Sequence, residues 1–275
     1  MQIKIGRGLG EAWALAGEHW RVLLAYALMG VVFPYLFLSS EPIFSLRNIM
    51  AVLSDPWTNR LGGSITGPLY LIGIVLVIVF GAMLAAWNAL LAEIREGYVS
   101  EIMYGMVAGF AYILAYVLLY MVVALVLVLP LMMMVGVEDW VRAGPIVAGL
   151  RQLAFTLIGA WLLARFCLVG PIMAAGGRLE PFSPYVESWR RTASAQWWLF
   201  GFFLLYNIGF GALFGGLVVL HGAVILVNEP GSLAETMMSA LWVVLFGLYF
   251  FAQLLIPAGL YRASEPGASA AEVFA

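Results

Sequence analysis

Residues 197–227 read WWLFGFFLLYNIGFGALFGGLVVLHGAVILV and contain no Asp, Glu, Lys or Arg. About 18–20 apolar residues in a helix cross a bilayer core, where the backbone must pair within its own segment because no water is present. No part of the chain shows the alternating segments of about ten residues that are typical of a β-barrel. The sequence therefore predicts an all-α integral membrane protein with six transmembrane helices. The predicted spans are Arg21–Leu38, Pro68–Ala92, Met106–Val137, Leu153–Ala175, Trp197–Val227 and Met237–Leu260.

The composition of the 275 residues agrees with a membrane protein and excludes some functions. The chain is 64% hydrophobic and 10% charged, whereas soluble globular domains are about 25% charged. The net charge is −2 and the only lysine is Lys4. Because nucleic acid binding requires a dense basic face, we expect no nucleic acid partner. The single cysteine, Cys167, cannot form a disulfide within the chain.

The amino-terminal segment has the pattern of a helix that lies in the membrane interface. At helical spacing, Leu9, Trp13, Ala16 and Trp20 share one apolar face. Three parts of the chain follow from this pattern: an N-terminal amphipathic interfacial helix at 1–20, a six-helix transmembrane domain at 21–262 and a flexible C-terminal tail at 263–275.

Similar short segments precede the later spans. Residues 184–196 and 93–105 resemble the N-terminal segment, and EAWALAGEHW at 11–20 shares Glu-x-Trp with ESWRRTASAQW at 187–197. One interpretation is that the chain consists of three units, each an amphipathic segment followed by a helical hairpin; chance or the common composition of interfacial segments is the alternative. In the long first loop, residues 42–53 have the apolar stripe of a surface helix.

Basic residues are distributed unequally between the two sides of the membrane. If the amino terminus is inside, eight basic residues lie in the inner segments and four in the outer ones. The positive-inside rule then predicts that both termini are cytoplasmic. We expect a multi-pass membrane protein.

Arg165 is the strongest candidate for a binding residue. It lies near the middle of the fourth span, where an arginine costs at least about 2.5–3.5 kcal/mol on insertion scales. No acidic residue is predicted at this depth. Polar groups at similar depth belong to Tyr116, Tyr120, Tyr206, Asn207 and Tyr249. Two hypotheses stay open: Arg165 is satisfied within the protein or near the interface, or it binds an anionic group such as a lipid phosphate with Asn207, Tyr116, Tyr206 and Tyr249 nearby.

The sequence contains no recognisable catalytic or metal motif. It has no Gly-x-Ser-x-Gly elbow, no His-Glu-x-x-His and no glycine-rich phosphate loop. His19 and His221 are predicted on opposite sides of the membrane, without further ligands at suitable spacing. We therefore expect no enzymatic activity, no metal and no cofactor.

Two Gly-x-x-x-Gly pairs, Gly105 with Gly109 and Gly211 with Gly215, indicate helix contacts. Such pairs let helix backbones approach closely, either inside the bundle or across an interface between chains. Internal packing is the interpretation that we favour for both pairs. A flexible segment along a substrate path is the alternative for the glycine-rich fifth span.

One stretch resembles a known family. Residues 164–205, ARFCLVGPIMAAGGRLEPFSPYVESWRRTASAQWWLFGFFLL, combine a span containing Arg and Pro, a short break, a Ser-Trp-Arg helix and an aromatic start of the next span. This order resembles the membrane domain fused to some bacterial glycerophosphodiester phosphodiesterases, and related stand-alone six-helix proteins. The resemblance implies a fold and a location in the bacterial inner membrane, and it transfers no catalytic residue. Trp189, Arg190 and Arg191 are, by this resemblance, candidates for an interface or packing role.

These observations favour a non-enzymatic accessory, scaffold or assembly subunit of a membrane complex. The alternative is a transporter or lipid-handling protein that binds an anionic group at Arg165. The expected partners are membrane lipids together with another membrane protein or a second copy of the chain.

Overall fold

The computed structural model describes residues 3–39, 66–95, 97–136, 145–229 and 231–265. Within these ranges the regular structure is helical and includes no β-strand. Six helical stretches are long and apolar enough to cross a membrane. The prediction of an all-α polytopic membrane protein is therefore confirmed. The predicted surface helix at 42–53 and residues 266–275 of the predicted tail lie outside the described ranges.

Eleven α-helices follow one another along the described chain. They are α1 (Ile5–Glu18), α2 (Trp20–Ala27), α3 (Phe33–Ser39), α4 (Thr66–Leu91), α5 (Tyr98–Val123), α6 (Leu129–Val135), α7 (Pro145–Phe166), α8 (Val169–Ala175), α9 (Phe182–Thr192), α10 (Gln196–Val227) and α11 (Leu233–Ala263). The first span combines α2 and α3, the second is α4, the third combines α5 and α6, the fourth combines α7 and α8, the fifth is α10, and the sixth is α11.

The third span begins earlier than the sequence predicts. Its helix starts at Tyr98, whereas the predicted span starts at Met106. Most of the segment predicted as a separate interfacial element at 93–105 is therefore the first two turns of the span. The hydropathy pattern misses these turns because they carry Glu101 and Ser100 among the apolar residues.

Two π-helical turns interrupt the first and third spans, and each precedes a proline. The turns are Leu28–Val32 and Ala124–Val128, and Pro34 and Pro130 follow at the same distance. A proline has no N–H to donate to the carbonyl four residues earlier. In a π turn each N–H donates to the carbonyl five residues earlier and not four, as in the bond from Phe33 N–H to the Leu28 carbonyl. The prolines thus account for both turns.

The fourth span is broken between α7 and α8, and helix α9 packs against the break. Pro171 cannot donate to the Cys167 carbonyl, and the chain turns at Cys167 and Leu168. Next to this turn, the Arg165 carbonyl accepts hydrogen bonds from Ser188 Oγ at 2.7 Å and Thr192 Oγ1 at 3.3 Å. The side chains of α9 therefore satisfy backbone that the broken helix exposes.

The N-terminal helix α1 packs on the sixth span through small residues. A Cβ atom at Gly259 would overlap the Gly8 carbonyl oxygen and lie 2.6 Å from the Ala12 nitrogen. The buried residues of α1 are Gly8, Ala12 and Leu15. The predicted apolar stripe faces outward instead, because Trp13 is 82% exposed and Trp20 57%. This outward face is the one that an interfacial helix presents to lipid.

Helices α1 and α9 bury equivalent positions relative to their shared Glu-x-Trp sequence. Gly8 and Pro184 lie three residues before the glutamate, and Ala12 and Ser188 one residue after it; all four are buried. The following spans start at Trp20 and Gln196, again at the same offset. The structural register of these two segments agrees with the repeat that the sequence predicts.

The closeness of α1 to the sixth span can be tested at Gly259. We expect Gly259→Ala to lower the free energy of unfolding by about 1–3 kcal/mol, because the new methyl group has no space beside α1. Unfolding in mixed micelles with increasing denaturant measures this difference. Gly247→Ala is the matched control in the same helix, since nothing lies within 4 Å of a Cβ atom there. Equal stability of the two variants would contradict the packing described.

Candidate functional site

A cavity of about 720 Å³ lies at the centre of the bundle. Side chains from all six spans line it. Its volume is within the range of about 300–1,000 Å³ that is typical of small-molecule sites. The cavity is therefore large enough to hold a bound molecule.

One wall of the cavity is a row of tyrosines on the third span. Tyr112, Tyr116 and Tyr120 follow one another at intervals of four residues, so that they share one face of α5. The rings of Tyr112 and Tyr116 are stacked at 6.2 Å, and those of Tyr116 and Tyr120 are 5.5 Å apart. This wall combines aromatic surface with hydroxyl groups that both donate and accept hydrogen bonds.

Amide and hydroxyl groups of three other spans also line the cavity. The fourth span contributes Gln152 and Thr156, the fifth Asn207, and the sixth Tyr249 and Gln253. Gln253 Nε2 donates to the Tyr249 hydroxyl at 3.1 Å. Among the described residues that line the cavity, none is Asp, Glu, Lys, Arg or His. The cavity is thus apolar and aromatic with uncharged hydrogen-bonding groups.

Prolines add backbone acceptors to the same cavity. Pro34, Pro171 and Pro257 remove the N–H groups that would bond the carbonyls of Gly30, Cys167 and Gln253. These three residues come from different spans, and all three line the cavity. Carbonyl oxygens released in this way can accept hydrogen bonds from a bound molecule.

Arg165 does not lie with its predicted partners. Its side chain is 2% exposed. The guanidinium carbon is 3.7 Å from the Trp189 ring centroid, and Nη1 donates to Gln196 Oε1 at 3.2 Å. Nε has no hydrogen-bond partner among the described residues. Both contacts come from α9 and the first residue of the fifth span, so Arg165 is held at the end of the bundle where α9 packs.

The other predicted members of this site lie elsewhere. Tyr116, Asn207 and Tyr249 line the central cavity, whereas Arg165 is not one of its lining residues. The Tyr206 ring stacks on Tyr249 at 6.1 Å and also lies outside the lining. The cavity therefore brings Tyr116, Asn207 and Tyr249 together without Arg165, and anion binding at Arg165 stays a prediction. The sequence predicts a similar depth for these residues, whereas in the structure Arg165 lies at the end of the bundle against α9 and Gln196.

The two glycine pairs lie in different environments. Cβ atoms at Gly105 and Gly109 would overlap or crowd the second span at Gly81 and Ala85, with separations of 2.9 Å from Gly109 to Gly81 Cα and 2.7 Å from Gly105 to Ala85 Cβ. Gly211 and Gly215 are exposed, and nothing described lies within 4 Å of a Cβ atom at either. Internal packing therefore does not explain the second pair.

The α9 candidates take separate roles. Trp189 covers Arg165 and contacts Trp161 with ring centroids 5.6 Å apart. Arg191 donates to Glu187 at 2.6 Å and to Ser264 at 3.2 Å, which ties α9 to the end of the sixth span. Arg190 is exposed.

Glu101 is a buried charge that sequence reasoning missed. It is fully buried at the start of the third span. Arg95 Nε donates to Oε1 at 2.6 Å, and the Tyr26 hydroxyl donates to Oε2 at 2.6 Å. The hydrogen bond to Glu101 raises the pKa of Arg95 above its usual value. The sequence signal that could have indicated the ion pair is Arg95, six residues before Glu101. The contact with Tyr26 depends on the fold and has no signal in the sequence.

No protein-family model, curated protein or solved structure matches this chain. The resemblance to the membrane domain of glycerophosphodiester phosphodiesterases therefore stays a prediction. The function has to be inferred from the geometry of the bundle itself.

The stacking of Arg165 on Trp189 leads to a testable difference between two tryptophans. We expect Trp189→Leu to lower the free energy of unfolding by about 1–2 kcal/mol, because the buried guanidinium loses its aromatic neighbour. Trp198→Leu removes a tryptophan that is 74% exposed and serves as the control. Denaturant unfolding of both variants measures the difference, and an equal loss in the two would contradict a specific role for Trp189.

The buried carboxylate leads to a second comparison. Glu101→Gln should lower the free energy of unfolding by about 1–3 kcal/mol, since the charge-assisted bonds from Arg95 and Tyr26 are weakened. Glu93→Gln removes an exposed carboxylate near the same end of the bundle and should change little. Thermal unfolding of the two variants in the same detergent tests this, and a stable Glu101→Gln protein would argue against the network.

Proposed function

We propose that this chain is a lipid-handling or transport protein that binds an uncharged, largely apolar molecule of the membrane in its central cavity. The observation that carries the proposal is the cavity of about 720 Å³, which all six spans line with aromatic and uncharged polar groups. The proposal concerns binding and includes no catalytic step.

The absence of charge in the lining favours a neutral ligand. A charged group inside a bilayer is costly unless an opposite charge or a metal compensates it. The described lining residues offer no such charge. This supports a neutral ligand over the anionic group considered for Arg165, whose guanidinium already contacts Trp189 and Gln196.

The acceptors around the cavity favour a ligand that donates hydrogen bonds. The acceptors are the side-chain amide oxygens of Gln152 and Asn207. The backbone carbonyls that lack a helical donor because of Pro34, Pro171 and Pro257 are further acceptors. A hydroxyl group on a long apolar body satisfies these acceptors and leaves the rest of the molecule against the aromatic walls. We therefore propose a hydroxylated lipid-like molecule as the ligand class.

A role as an accessory subunit is the second candidate, and the exposed glycines of the fifth span favour it. Gly211 and Gly215 leave an open face on which a helix of another chain could pack closely. This role is compatible with ligand binding, because the glycine face and the cavity lining do not share these residues.

We also propose that the end of the bundle near α1 and α9 faces the cytoplasm. Arg262 donates to the Leu90 carbonyl and the Tyr104 hydroxyl donates to the Arg178 carbonyl, so these arginines gather at that end with Arg95 and Arg191. The positive-inside rule supports the cytoplasmic side for such a group.

Filling the cavity tests the proposed function. Gly159 lines the cavity, and the nearest atoms to a Cβ there are 3.9 Å away on Asn207 and 4.0 Å away on Tyr120. We expect Gly159→Leu to fold normally and to retain at least about tenfold less of the co-purified neutral lipid, since the new side chain occupies the site. Native mass spectrometry with lipid extraction identifies and quantifies the retained molecule.

Gly209→Leu is the control for this experiment. Gly209 is exposed, has nothing within 4 Å of a Cβ atom and does not line the cavity. The control should retain the ligand as the unchanged protein does. Equal retention by Gly159→Leu, or a retained molecule that is charged, would contradict the proposed function.

A further inference from the structure

A second cleft lies away from the central cavity, where α1 meets the first span. It has a volume of about 410 Å³. The chain ends α1 at Glu18, turns at His19 and begins the first span at Trp20. This turn places His19, Trp20 and Arg21 on one side of the cleft, and Arg95 and Tyr98 form the other.

The arginine on the far side of the cleft is anchored from behind. Arg95 uses Nε for the 2.6 Å bond to Glu101 and stacks over Tyr98 at 4.7 Å. Its side chain is 40% exposed, whereas Glu101 is fully buried. A guanidinium has five N–H donors, so donors beyond those engaged by the carboxylate remain for a bound group in the cleft.

The charges around the cleft leave an excess of positive charge. Glu101 compensates Arg95, and Glu18, which also lines the cleft, lies 3.8 Å from His19 and 4.0 Å from Arg262, which is outside the lining. Two carboxylates, Glu18 and Glu101, thus stand against the three guanidinium groups of Arg21, Arg95 and Arg262. Arg21 is then the additional cation, and it contacts the Trp20 ring at 5.4 Å.

The position of the cleft along the membrane normal points to a headgroup. Trp13 in α1 and Trp20 at the start of the first span are both exposed, and exposed tryptophans next to spans are typical of the membrane–water boundary. A group bound between Arg21 and Arg95 is therefore at the level of lipid phosphates.

We propose that this cleft binds the phosphate group of a membrane phospholipid, with Arg21 and Arg95 as the charged donors. Two guanidinium groups from separate elements match the acceptors of a phosphodiester. The acyl chains extend along the apolar first span, where Leu24 and Leu28 are exposed. The site is separate from the central cavity and does not depend on the function proposed for it.

The test uses the full chain in detergent, stripped of lipid and titrated with phosphatidylglycerol. Native mass spectrometry measures the fraction of protein with bound lipid. We expect Arg21→Gln to weaken binding about tenfold, because one charge-assisted contact is lost. Lys4→Gln removes the same charge from an exposed position just before α1, outside the cleft, and should bind as the unchanged protein does.

A second variant tests Arg95 without leaving its partner charged and buried. Arg95→Gln combined with Glu101→Gln keeps two groups that can hydrogen-bond to each other. We expect this double variant to fold and to bind phosphatidylglycerol about tenfold more weakly. Unchanged binding in either cleft variant would overturn the proposal.

Two further ligands distinguish a phospholipid site from a purely apolar groove and from a site for free phosphate. Diacylglycerol with the same acyl chains lacks the phosphate and should bind equally in the unchanged protein and in Arg21→Gln. Inorganic phosphate should displace phosphatidylglycerol only weakly. If the unchanged protein bound diacylglycerol as tightly as phosphatidylglycerol, the assignment to a phospholipid would be overturned. Full displacement of phosphatidylglycerol by inorganic phosphate at the same concentration would also overturn it.

Discussion

The bilayer core contains no water that could bond a released backbone carbonyl, so each proline in a span requires a local change of the backbone, a donor side chain or a bound molecule. π turns precede Pro34 and Pro130. At Pro171 the span breaks, and hydroxyls of α9 bond the adjacent Arg165 carbonyl. Near Pro257, Trp87 Nε1 donates to the Leu254 carbonyl at 2.7 Å, next to the Gln253 carbonyl that the proline leaves without a helical donor. These responses shape the first, third, fourth and sixth spans, and three of the prolines release carbonyls of residues at the central cavity.

Close contacts between small residues hold the bundle around this irregular backbone. Gly170 lies against Trp87, where a Cβ atom would overlap the indole ring, and α1 lies equally close to Gly259 at the end of the sixth span. In a bilayer, helices gain little from hiding apolar surface from one another, so contacts of this kind and interhelical hydrogen bonds determine the packing. The cavity lies among the larger aromatic residues of the spans, such as Tyr112, Tyr116 and Tyr249.

The sequence was sufficient for the fold class because hydropathy is a local property of each segment. The six spans could be predicted in this way, but the depth of Arg165 could not, because its contacts with α9 and Gln196 place it at the end of the bundle. Which face of a helix meets which neighbour is a property of the whole bundle. For this reason the contacts of Arg165 with Trp189 and Gln196 could not be predicted, although both residues lie in the family-like stretch at 164–205. For the same reason, the sequence could not show that Gly211 and Gly215 face outward or that Glu101 is buried.

Binding of a neutral membrane molecule in the cavity among the six spans can be tested most directly by an experimental structure. The protein would be purified with its native lipids, and the map inspected between the Tyr112–Tyr120 row and Gln253. We predict elongated non-protein density in contact with these tyrosines and with Asn207 or Gln253. A cavity that is closed by its own side chains, with no such density, would contradict the proposed binding site.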